Sequence, residues 1–298
     1  MLLDTRIPVS YVFVKIRADL FGVVVIAGLV ELLVNWQRQY LPTVAISLPI
    51  LLGTAISLLL SFKLNQSYDR WWEARKIWGS IVNDSRTLVR QLLTLVDGGG
   101  EDATVRRVAH RQIAWCYCLG QSLRGLDWRW GTAAHVDASE LAEAEHHTNK
   151  SLALLQFHAR DVAQLAKDGR LSDYRRVAID ETLTRLTDWM GMAERIRNTV
   201  FPRTYRLFLH AFIYVFITLL SIALAEIKGT WQLALTIGIA IPFFLLEKTA
   251  THMQDPFANR PTDTSVTAIA RTIDINLRNL IGEEQVPDPW PAEGYYIM

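Results

Sequence analysis

The chain has 298 residues, half of them hydrophobic and one fifth charged, with a mean hydropathy of +0.14. That composition excludes a disordered chain and is unusual for a water-soluble one. Its 31 basic and 30 acidic residues leave a formal charge of +1, which excludes a polybasic nucleic-acid binder. Only Cys116 and Cys118 could form disulfides, too few for a disulfide framework and suited to a reducing compartment.

Residues 1–19 hold Asp4, Arg6, Lys15, Arg17 and Asp19 and no small-residue cleavage site after a short apolar core. They are expected to stay in the mature protein as a cytoplasmic N-terminal segment. Residues 20–36 (LFGVVVIAGLVELLVNW) form an apolar run broken by one acid, Glu31. Residues 43–62 (TVAISLPILLGTAISLLLSF) carry no charge. The same holds for 207–225 (LFLHAFIYVFITLLSIALA), apart from the titratable His210 and Tyr214, and for 229–246 (GTWQLALTIGIAIPFFLL). Each run approaches the roughly 20 residues that a helix needs to cross about 30 Å of hydrocarbon. Four membrane helices are therefore predicted, two within 20–62 and two within 207–246.

Thirteen basic residues flank the spans on one side: Arg6, Lys15, Arg17, Lys63, Arg70, Arg75, Lys76, Arg195, Arg197, Arg203, Arg206, Lys248 and Arg260. The two hairpin loops on the other side hold only Arg38 and Lys228. By the positive-inside rule both termini and residues 63–206 are expected to be cytoplasmic.

The segment 63–206 has helical periodicity. Trp71, Ala74, Ile77, Trp78, Ile81, Val82, Ser85, Leu88, Val89 and Leu92 form one stripe at i, i+3, i+4 spacing. No stop signal separates it from the second span, so one long helix should run through both. Gly98-Gly99-Gly100 ends that helix and Asp102 is placed to start the next. Further helices are expected over 105–123, 148–165 and 174–197, with Asp168-Gly169 and Gly191 as punctuation. Residues 247–298 read as a cytoplasmic helix and a Pro-rich tail. The fold class is all-α, a polytopic membrane protein with a large helical cytoplasmic region.

The chain carries no P-loop, nucleophile-elbow, H-E-x-x-H or Gly-rich dinucleotide motif. No enzyme is indicated, and no cofactor. Cys116-x-Cys118 points its thiols to different faces of a helix, which suits two small buried residues better than a metal site. His146-His147, after Glu140, Glu143 and Glu145, reads as a solvated linker in preference to a ligand set. His210 is the ionisable group inside a clean span; an intramembrane His can mark an ion route or serve as a packing residue. Glu31, near the outer end of its span, has the same two readings.

Residues 65–79 (NQSYDRWWEARKIWG) follow directly on an apolar span. Glu194-Arg195 and Pro202 lead into the third span, Asp255-Pro256-Phe257 follows the fourth, and 271–277 (RTIDINL) come later. Together and in this order they resemble the bestrophin family, specifically its bacterial branch, over nearly the whole chain.

The resemblance implies a homopentameric channel for monovalent ions, embedded in lipid, with a pore on the five-fold axis. It implies that the second span lines an apolar neck with Thr54, Leu58 and Phe62, counted back from Arg70 in steps of four. Spacing alone would equally put that face against lipid. Thr54 departs from the apolar residue usual in the family. Gly53, Ser57 and Ser61 form a neighbouring small-residue face suited to close helix packing. Gly169-Arg170-Leu171-Ser172-Asp173 matches a pattern that places Tyr174 at a cytoplasmic aperture; a partly buried helix-start tyrosine is the other reading. Arg70, Trp71 and Trp72 are expected to anchor at the membrane interface.

Eukaryotic members bind calcium through an acidic run after the last span. Here that stretch, Asp255 to Asp263, retains Asp263 of the run, has Arg260 inserted and Ala258 in place of Gly, so calcium gating is not expected. Between positions 64 and 200 there are 19 basic and 18 acidic residues, and an apolar neck chooses no sign. The bacterial likeness favours monovalent cations over chloride, with an anion channel as the alternative. A membrane enzyme, or a membrane-anchored assembly protein without a pore, also remains open at this stage.

Overall fold

The computed structural model describes residues 8–37, 44–199, 202–225, 227 and 230–298. The orienting charges Arg6, Arg38 and Lys228, together with Asp4, Thr43 and Gly229, lie outside them. Among the described residues the chain is helical, without strands; Glu293 and Tyr296 form a single isolated bridge. The helices are α1 (Val9–Gln37), α2 (Ser47–Leu95), α3 (Ala103–Arg124), α4 (Ala138–Glu145), α5 (Lys150–Lys167), α6 (Asp173–Asn198), α7 (Arg203–Ala223), α8 (Thr230–Met253) and α9 (Val266–Leu280).

Four of them are long and apolar enough to cross a membrane: within α1 (Phe13–Trp36), α2, α7 (Thr204–Ala223) and α8 (Trp231–Met253). The chain is a multi-pass, all-α membrane protein. α2 is unbroken over 49 residues, roughly 70 Å at 1.5 Å per residue. No Gly or Pro occurs between positions 54 and 78, and Pro49 falls in the first turn, where its missing N–H costs no helical bond.

The chain divides into two compact units, Trp71–Thr199 with Asp255–Met298, and Thr5–Arg70 with Val200–Gln254. In the first, here the helical unit, α3 is buried almost all round from Arg111 to Gln121. Its neighbours are α5, α6, α9 and the later half of α2, with Trp78, Trp115, Leu154, Leu186 and Ile273 in the core. α3 begins on Asp102, whose side chain accepts from the Thr104 and Val105 amides, the capping that satisfies otherwise orphaned donors. Gly98 takes φ 72 after the end of α2, a conformation that favours glycine.

Two expectations differ. Gly191 does not interrupt α6, which packs Leu186, Met190 and Ala193 on either side of it; a glycine costs only about 1 kcal/mol in a helix, less than that burial returns. The polar stretch before His146, where no helix was expected, is the short helix α4. Its acids each hold a base: Glu140 with Arg111, Glu143 with Arg160 and Glu145 with Arg129. His146 and His147 are exposed at its end.

In the second, here the span unit, Ile16, Val23, Ile56, Leu60, Ile213, Ile217, Ala240 and Phe244 form the interior. α1 begins well before position 20 and α8 continues past 246. The charges that end those apolar runs are paired inside the unit, and helix therefore extends through them.

Candidate functional site

α2 presents two different faces within the span unit. Ile56, Leu60, Lys63 and Ser67 are buried. Thr54, Leu58 and Phe62, four residues apart, are exposed together, Leu58 at 59% and Phe62 at 55%. They therefore stay clear of the chain's own core. The Thr54 hydroxyl donates to the Ile50 carbonyl at 2.9 Å, so its polarity is directed back into its own helix. Ser57 does the same toward Gly53 at 2.8 Å.

Gly53 is buried against α7: a Cβ there would lie 3.0 Å from the Phe216 ring. Only this member of the small-residue face packs within the chain; Ser57 and Ser61 are exposed.

Where the apolar part of α2 ends, Lys63 is fully buried. Its Nζ donates to Glu247 Oε1 at 3.0 Å and to Thr251 Oγ1 at 2.9 Å. Next to it, Asp19 of α1 meets His210 Nε2 at 3.3 Å and Lys248 Nζ at 3.1 Å. The other His210 nitrogen lies 3.9 Å from Glu247 Oε2. Lys15 and His252 are 2.7 Å apart. Sequence reasoning used Lys15, Lys63 and Lys248 only as orienting charges and missed this network. The charges that abut the apolar runs at Asp19, Lys63 and Glu247-Lys248 were its one visible sign. Glu31 is half-buried on α1.

Arg70 Nε donates to the Gln254 carbonyl at 2.8 Å, just past the end of α8, where backbone acceptors lack helical partners. Trp71 Nε1 donates to the Thr262 carbonyl at 3.0 Å. Trp72 stacks on Trp71 with centroids 6.3 Å apart and is 46% exposed. These contacts give Arg70 and Trp71 a fastening role within their own units that the sequence did not reveal.

In the helical unit, Tyr174 is 92% exposed in the first turn of α6. Both sides of it are pinned: in the preceding turn Arg170 pairs with Asp102 and donates to the Asp97 carbonyl, and in α6 itself Arg175 donates to the Leu95 carbonyl and pairs with Asp97. Leu171 is buried beside them. The tyrosine projects from a fixed base.

The stretch from Asp255 to Asp263 closes on itself. Asp263 is buried, and its carboxylate accepts from the Arg260 amide at 3.0 Å and from Thr262 Oγ1 at 3.5 Å. Burial pushes this carboxyl up to about 6. Cys116 lies 3.7 Å from Ser85 Oγ and Cys118 3.5 Å from Ser151 Oγ. Burial raises the two thiols to about 12 and about 11, so both stay protonated. Among the described residues no three His, Cys, Asp or Glu side chains converge as a metal site.

With this geometry in hand, comparison with known proteins gives consistent matches. Residues 4–279 match the family described as Bacterial/Fungal Bestrophin protein. A protein of Ralstonia nicotianae named as voltage-dependent anion channel-forming is 30% identical over 247 residues, 83% of this chain and 81% of that one. A protein of Mesorhizobium japonicum with the same description is 30% identical over 283 residues, 95% and 90% of the two chains. The crystal structure of a bacterial bestrophin homolog from Klebsiella pneumoniae superposes with a TM-score of 0.85 at 27% identity, covering 91% of this chain and all of that one.

Proposed function

The chain belongs to the bacterial and fungal bestrophin family, and from that premise we propose that it is an ion channel, a homopentamer with α2 of each copy lining one central pore. The family match and the channel-forming names of the relatives point to a channel and not an enzyme.

The observation that carries the reading is the exposed row of Thr54, Leu58 and Phe62. In five copies, that row forms rings around the axis. Leu58 and Phe62 make an apolar neck that conducts when wetted, and such a neck acts as a barrier without choosing a sign. Tyr174, held out by the Arg170 and Arg175 pins, forms the aperture at the cytoplasmic exit. Residues 63–206 and 247–298 are cytoplasmic in this reading, with both termini, and the membrane is the bacterial inner membrane. Arg70, Trp71 and Trp72 sit at the interface, where tryptophan is favoured.

The permeant ions are monovalent. The bacterial likeness supports cations. The names of the Ralstonia and Mesorhizobium relatives support a second reading, an anion channel. Bilayer recordings under asymmetric KCl separate the two by the sign of the reversal potential, and replacing K+ by Na+ checks cation passage. The mass of the protein in lipid nanodiscs tests assembly: five chains support the proposal, while one or two chains with no current reject it.

A further inference from the structure

The span unit contains a cavity of about 630 Å³ that conduction through α2 does not use. The start of α7 lines it with Thr204, Arg206, Leu207 and His210, and the end of α8 with Glu247, Lys248 and Thr251. These are the ends of the two spans where basic residues concentrate, so the cavity sits at headgroup depth.

Its lining acid, Glu247, is occupied, and so is Asp19 on α1. Glu247 Oε1 accepts from Lys63 and Thr251, and Asp19 faces Lys248 and His210. Arg206, by contrast, is exposed and has no acidic partner among the described residues. Of the lining residues, Arg206 and Lys248 outnumber Glu247 by one, so the formal balance of the cavity is positive. Beside Arg206 stands Leu207, 67% exposed, an apolar wall of the same cavity.

We propose that this cavity binds the phosphate of an anionic lipid headgroup. The Arg206 guanidinium offers paired donors matched to phosphate oxygens. Lys248, which faces Asp19, lines the same wall, and the Thr204 hydroxyl adds a neutral donor. Leu207 takes the adjoining acyl chain, which free phosphate lacks. Basic recesses between spans on the cytoplasmic side commonly accept such headgroups.

The full chain in nanodiscs of phosphatidylcholine doped with phosphatidylglycerol tests this, with native mass spectrometry counting the phosphatidylglycerol retained per subunit. Wild type should retain it in preference to phosphatidylcholine. Arg206→Gln should weaken retention about fivefold, the equivalent of one lost basic contact at the surface. Arg206→Lys should keep most of it, and Arg106→Gln, an equal loss of exposed charge in the helical unit, should change nothing. Equal retention of the two lipids, or undiminished retention by Arg206→Gln, would overturn the proposal. Inorganic phosphate that stabilises wild type but not Arg206→Gln in pure phosphatidylcholine discs would assign the cavity to free phosphate and reject the lipid.

Discussion

The two units bury opposite things. The helical unit keeps Trp78, Trp115, Leu154 and Ile273 inside and carries charged residues such as Arg106, Arg160 and Asp180 outside. The span unit shows Phe21, Leu32, Trp36, Leu51, Leu207 and Trp231 on its surface, each between 66 and 82% exposed. Its interior includes Asp19, Lys63, Ser221, Gln232, Thr236 and Glu247. One unit is built for water and the other for hydrocarbon, where a polar group is stable only with a partner inside the protein. Buried charge in the span unit is therefore arranged as a network, whereas in the helical unit exposed charges can be left to water.

This contrast can be broken most forcefully at Lys63. Lys63→Met should destabilise the span unit by about 3–5 kcal/mol, because Glu247 is left buried beside an apolar group. The double substitution Lys63→Met/Glu247→Met should recover most of that loss. Denaturation of wild type and the two variants in one detergent measures it; a double mutant no better than the single would show that the pair is not the unit of stability.

The next effect is in the helical unit and depends on pH. His135 stacks on Tyr117 with centroids 6.0 Å apart and faces Asp274, Arg278, His110 and Arg271. Burial first of all pushes its imidazole down to about 4, from an ordinary value near 6.5. The neutral ring is the form that the fold holds, so its contribution is complete above about 6.5 and is lost as pH falls through 4. The loss should approach about 3 kcal/mol across that interval. His135→Gln should flatten the acid limb of a stability–pH curve, and an unchanged limb would move the titration to another group.

A smaller effect belongs to the start of α3. Asp102→Ala removes the side chain that accepts from the Thr104 and Val105 amides and the partner of Arg170. It should cost about 1–2 kcal/mol. The same substitution should loosen the base of Tyr174, seen as faster amide exchange at the start of α6 with α8 unaffected.

Much of this architecture was legible in the residues, for reasons that also explain what was missed. The uncharged runs 43–62, 207–225 and 229–246 reveal spans because length and hydropathy suffice. The stripe from Trp71 to Leu92 reveals the later half of α2 because period is a local property. Asp102, Gly98 and Gly169 mark boundaries through local backbone chemistry. α1 before position 20 was hidden because Lys15, Arg17 and Asp19 interrupt the apolar pattern. Asp19 meets partners near position 210 and position 248, and no periodicity reports a neighbour so distant in the chain. α4 has no clear signal in the sequence because its acids look solvated until Arg111, Arg129 and Arg160 are seen opposite them. The neck and aperture assignments came from likeness to a family; spacing alone fits lipid contact as well.

The claim that joins these threads is that the exposed face of α2 lines a pore. Bilayer current from Phe62→Ala, normalised to the pentamer recovered, tests it most directly. The account predicts larger conductance with little change in reversal potential, since a wider neck wets more readily and neither ring carries charge. Loss of assembled protein with no gain in current would contradict it. That outcome would place Phe62 in a packing contact, where truncation of a buried ring costs about 3–5 kcal/mol.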